Sequence, residues 1–92
     1  MVNEETFTQN FIIMPQAIIC PWDEQDFDVL VKANPQIVLL GTGVDFIIIP
    51  PHKLAVFYHN NIGLEIMNTA SACRTFNVLA SEGRNVVAGL IV

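Results

Sequence analysis

Gly63–Arg84, reading GLEIMNTASACRTFNVLASEGR, places a strand, a helix start, a lone arginine and a helix stop in unbroken succession. Leu64 to Met67 reads as a short strand, and side-chain alternation puts Glu65 on the opposite face from Leu64 and Ile66. A carboxylate there is expected to be partly buried. Thr69 is read as the cap of the following helix, its hydroxyl accepting from an orphan N–H of the first turn. Ala72, Phe76, Leu79, Ala80 and Gly83 recur at helical spacing and mark a buried face, with Cys73 at its border. Gly83 stands where a helix stops, and Asn85–Val92 reads as a closing strand.

Upstream, Ile37–Leu40 is an apolar tetrad bounded by Pro35 and Gly41, the pattern of a central strand covered on both faces. Phe46–Ile49 is a second apolar run, expected to be extended. Pro50-Pro51 leads into a helix near His52–Asn60 with Pro51 at its first position, and Asn60 to Gly63 ends it. Asp23 is expected to cap an earlier helix with Glu24 and Asp26 in its first turn. Val29, Leu30 and Ala33 then face the core, and Asn34-Pro35 stops it. Thr6–Met14 reads as a strand ended by Pro15, and Pro15–Trp22 as irregular. Trp22 is read as stapling the helix start to the core or as an interface anchor. Asn3-Glu4-Glu5 looks like a turn, and a turn at the very start is read as a chain that lacks an earlier strand or begins at an internal start.

Strands alternating with helices through tight joints give an α/β domain. Right-handed crossovers then set Ile37–Leu40 and Leu64–Met67 side by side and parallel, with their C-terminal ends on one sheet edge. Open α/β sheets bind ligands at that edge.

Ninety-two residues suit one domain, 1–92, and a chain this short buries only roughly 60–65% of its unfolded surface. Its residues are 52% hydrophobic and 14% charged, a surplus that suggests some apolar surface meets a protein partner. The net charge of -5 and the scatter of Lys32, Lys53, Arg74 and Arg84 argue against nucleic acid. The longest uncharged run, Thr6 to Trp22, is broken by prolines and is no membrane span. Glu4 and Glu5 stand where a signal peptide would be positive, so the expected location is cytoplasmic, or mitochondrial if a leader has been removed.

Gly41-Thr42-Gly43 leaves the central strand at the ligand-binding edge. Its backbone N–H groups either cradle an anion or make a plain tight turn. The Thr69 helix start points its N–H groups and positive dipole end toward the same edge, as a ligand site or an ordinary cap. Arg74 lies within the first turns of that helix, where a cation opposes the dipole and calls for an anion: Glu65, or a carboxylate on a ligand or protein. The ligand-binding candidates are thus Gly41, Thr42, Gly43, Glu65, Thr69 and Arg74, and a small anionic ligand is their chemistry. Cys73 reads as a small core residue, since His52 and His59 belong to another helix and supply no base. Those two histidines lack a third metal ligand, and the Asp23, Glu24, Asp26, Asp28 group lacks calcium-loop spacing. No catalytic residue, metal or cofactor is expected.

LLGTG, the run GxEIMxTxxACRTxNxLxxEGR and the closing apolar strand together resemble a family of small single-domain proteins of unknown function. The likeness extends from FIIMPQAIICPW through Val92. Mitochondrial members of that family act as the third assembly factor of respiratory complex I. The resemblance implies a compact three-layer α/β domain, its mixed, largely parallel sheet flanked by helices. It also implies no established catalytic activity and, in mitochondria, an assembly role with protein partners. It marks Gly41, Thr42, Gly43, Gly63, Glu65, Met67, Thr69, Ala72, Cys73, Arg74, Thr75, Asn77, Glu82, Gly83 and Arg84, and assigns none a catalytic role. Members carry a further β segment before the point where this chain starts, so an open strand edge and a homo-oligomer are expected.

Overall fold

The structure, a computed structural model, describes residues 9–23, 26–43 and 49–91. Strands β1 (Phe11–Met14) and β2 (Ala17–Ile19) precede helix α1 (Asp28–Lys32), strand β3 (Ile37–Thr42) and helix α2 (Pro51–His59). Strand β4 (Gly63–Met67), helix α3 (Thr69–Ser81) and strand β5 (Val86–Ile91) complete the order. The sheet runs β2-β1-β5-β3-β4. Strand β3 pairs parallel with both β4 and β5, while β1 pairs antiparallel with β2 and β5. The expected parallel neighbours, β3 and β4, are therefore found, in a mixed sheet.

Both faces of this sheet are covered, which makes three layers. Period-two alternation sends Phe11, Ile13, Leu39, Val86, Ala88 and Leu90 to one face, where Ala72 and Phe76 of α3 pack. Ile12, Val38, Leu40 and Val87 point to the other, against Leu30 of α1, Leu54 and Phe57 of α2, and Trp22. Each fully buried side chain of this size contributes about 1.5–3 kcal/mol.

Several boundaries differ from expectation. Of the Thr6–Met14 strand only Phe11–Met14 is observed, with residues 6–8 outside the described residues. Strand β2 lies in the stretch expected to be irregular. Pro15 does end β1, but Met14 pairs with Ala17, so Pro15 and Gln16 form the loop of a hairpin. Helix α1 starts at Asp28 behind Phe27, which makes no side-chain cap bond, and not at Asp23. Trp22, ahead of the helix, is held by two hydrogen bonds. Trp22 donates its backbone N–H to the Asn10 carbonyl at 2.8 Å and its Nε1–H to the Asp26 carbonyl at 3.1 Å. Trp22 is only 6% exposed, stacks on Phe27 and lies over Gly89, so it is a core residue.

Strand β3 is interior and buried as expected, paired on both sides, with β5 next to it at the middle of the sheet, and it runs on through Gly41 and Thr42. The extended run expected at Phe46–Ile49 lies mostly outside the described residues, and Ile49 is not in a strand. Helix α2 begins at Pro51 as read, and Asn61 takes a left-handed φ of 56° after it. At the end of α3, Gly83 has φ 78°. Its N–H reaches the Ala80 carbonyl at 3.0 Å, and that of Arg84 reaches Leu79 at 3.1 Å, so these two carbonyls of the last turn of α3 are satisfied.

Candidate functional site

Met67 of β4 and Thr69 of α3 are separated by Asn68 alone, so the chain turns directly from sheet to helix above the C-terminal ends of β3 and β5. Asn68 is the cap: its Oδ1 accepts the Ser71 N–H at 2.8 Å. Thr69 is the first helical residue, with its hydroxyl turned back toward the sheet. There it accepts the Gly43 N–H at 2.8 Å and donates to the Ile91 carbonyl. The Thr69 N–H also donates to the Gly43 carbonyl at 2.9 Å. One threonine thus joins the ends of β3 and β5 to the start of α3.

Gly41 and Thr42 belong to the same joint. A Cβ on Gly41 would stand 2.8 Å from Leu90 Cδ2 and 2.9 Å from the Thr69 Cα, so a side chain there would push α3 off the sheet. Thr42, 2% exposed, donates its hydroxyl to the Met67 carbonyl at 3.3 Å. Gly43, at φ 88°, makes the left-handed exit from β3. The sequence was right to bring Gly41, Thr42, Gly43 and Thr69 together. What the geometry adds is that the Gly43 N–H, the group that an anion would need, is bonded to Thr69.

Arg74 and Glu65 lie apart from this joint in character. Arg74 is exposed and donates to Ser71 Oγ at 3.1 Å on its own helix. Glu65 was expected to be partly buried but is exposed, because β4 is an edge strand and α3 packs chiefly over β3 and β5. No ion pair among the described residues joins Glu65 to Arg74. The arginine's charge is felt at Cys73, where it favours the thiolate, but burial is the larger influence and pushes the thiol's pKa up. A thiol held protonated is a poor nucleophile. His52 and His59 are on α2, across the sheet from α3, and cannot serve it as a base.

A shallow cleft of about 210 Å³ between α1 and α2 is lined by Asp26, Phe27, Asp28, Lys53 and Val56. Among the described residues no group of three metal-ligating side chains converges, and no buried side-chain nitrogen or oxygen lacks a hydrogen-bond partner. No helix among them is long and apolar enough to cross a membrane.

Sequence reasoning missed Asn68 as the cap, although asparagine caps helices at least as well as threonine and stands three residues before the N–H that it binds. It also missed the Ile91 carbonyl, which as a backbone group leaves no mark in the sequence.

The assembly factor 3 of the NADH dehydrogenase (ubiquinone) 1 alpha subcomplex from Bos taurus is 33% identical over an alignment covering 86% of this chain and 48% of that protein. The chain spans about half the length of the curated relatives it matches. Among solved structures, a Xanthomonas campestris protein studied by NMR is 39% identical, with a TM-score of 0.86, over 98% of this chain and 74% of its own. A Bartonella henselae protein described as an outer membrane protein is 29% identical, with a TM-score of 0.78, over 97% of this chain and 82% of its own. Residues 1–91 match the family described as protein of unknown function, DUF498/DUF598. With that match, and with the same three-layer fold in solved relatives, the chain belongs to the DUF498/DUF598 family.

Proposed function

We propose that the chain is a non-enzymatic binding protein that works in the assembly of other proteins. The observation that carries this is its likeness to an assembly factor, at 33% identity over 86% of the chain. The chemistry of the candidate site fits the reading. Its polar groups are spent on holding β3, β5 and α3 together, and its thiol is kept protonated without a base beside it. By this account Gly41, Thr42, Gly43 and Thr69 shape the domain, and Arg74, exposed on α3, is available to a carboxylate on a protein partner.

A thermal-shift screen of the purified chain against small carboxylates, phosphates and nucleotides tests the proposal, since a ligand bound only by the folded state raises Tm. No rise is expected with any of them. A dose-dependent rise that Arg74→Ala abolishes would replace the proposal with a small-ligand function at the Thr69 helix start.

A further inference from the structure

The two edges of the sheet are defended unequally. An edge strand exposes backbone N–H and C=O groups that another strand can pair with, and native edges block this with charge, proline, shortness or a covering segment. Strand β4, at one edge, presents the exposed carboxylate of Glu65. Strand β2, at the other, presents Ala17, Ile18 and Ile19, all exposed, with Ile18 44% and Ile19 40% accessible. The register fixes their directions. Ile18 lies opposite Ile13, which faces α3, and Ile19 lies opposite Ile12, which faces α1 and α2. The edge is therefore apolar on both sides of the sheet.

We infer that β2 is the docking edge for a second copy of this chain. The charge distribution selects that occupant. Each chain carries a net charge of -5, so two copies repel wherever their acidic surfaces meet. Asp23, Asp26 and Asp28 lie on and before α1, Glu65 on β4 and Glu82 at the end of α3. From Gln9 to Trp22, the hairpin and its flanks, there is no charged residue. Of the two edge strands among the described residues, β2 carries no carboxylate, whereas β4 would bring Glu65 of two acidic copies together. An antiparallel pair of β2 strands about a two-fold axis is self-complementary, each copy offering the same groups that it receives. Pro15 and Pro21 bracket the three-residue strand and confine pairing to the stretch Gln16–Cys20 between them. The inference does not depend on the assembly role.

Sedimentation equilibrium of the whole chain over the micromolar range tests it. The expected result is a concentration-dependent rise from 10.2 kDa toward twice that mass. Ile18→Lys should abolish the rise while leaving the far-UV spectrum and Tm as in the unmodified chain, since the side chain is already exposed and a lysine is what guarded edges carry. Ile19→Lys should do the same from the other side of the sheet. A single-chain mass at every concentration would overturn the inference, whether the edge is then covered by the chain's own residues or by a different protein. A dimer that persists in both lysine variants would also overturn it.

Discussion

Thr69→Val removes one oxygen and keeps the side chain's shape, which makes it the sharpest probe of the joint between β3, β5 and α3. The lost hydroxyl accepts from Gly43 N–H and donates to the Ile91 carbonyl, so the variant strips two backbone groups of a partner at once. Leaving one such group unsatisfied costs about 1–3 kcal/mol when it is buried. Gly43, Thr69 and Ile91 are all half-buried, and water reaching them reduces each penalty to the low end of that range, for a loss of about 2 kcal/mol. In a domain whose whole stability is of the order of 5–14 kcal/mol, that lowers Tm by roughly 8–16 °C. Urea unfolding followed by Trp22 fluorescence measures it, because that indole is core in the folded chain and solvated in the unfolded one. Thr69→Ser keeps the hydroxyl and should retain most of the stability. A valine variant within about 0.5 kcal/mol of the parent, or a serine variant as weak as the valine one, would show that the hydroxyl does not hold the joint.

Three further outcomes follow from the packing. Gly83→Ala should cost about 1 kcal/mol in urea unfolding; a Cβ there meets nothing within 4 Å, so backbone strain at φ 78° acts alone, and an unchanged midpoint would contradict it. Gly89→Ala sets a methyl 2.7 Å from the Trp22 ring in the middle strand. It should lose about 1–3 kcal/mol and alter the near-UV spectrum of Trp22; a native spectrum would refute the packing described. Burial raises the Cys73 pKa, so the folded chain holds that proton at pH values where the unfolded chain has released it. Stability is thus unaffected at neutral pH and declines as pH rises beyond about 9. Cys73→Ala should flatten this alkaline decline, measured as the urea midpoint against pH, and an undiminished slope would assign it elsewhere.

The readability of this chain varied with how local the deciding physics is. Pro51 at a helix start, Gly83 at a helix stop and the 69–81 helical periodicity each depend on a few neighbouring residues, and all were legible. Parallel pairing of β3 and β4 followed from the short connections between strands and helices. Elements decided by distant contacts were not legible. Asp23 has the chemistry of a cap, but its neighbour Trp22 donates its indole N–H to the Asp26 carbonyl and lies over Gly89, far along the sequence, and the helix starts only at Asp28. Strand β2 gains its order from pairing with β1, across a loop that reads locally as a strand stop. At the candidate site, proximity was legible and orientation was not. Gly41, Thr42, Gly43 and Thr69 do meet, but the inward turn of the Thr69 hydroxyl depends on the Ile91 carbonyl, and the exposure of Glu65 on β4 being an edge.

The most direct test of the assembly role is to recover the tagged chain from its native host under mild salt and identify what accompanies it. The account predicts a protein partner in reproducible, near-stoichiometric amount, reduced when Arg74 is replaced by Ala. A chain that emerges repeatedly without any protein partner, while a small anion raises its Tm, would contradict it.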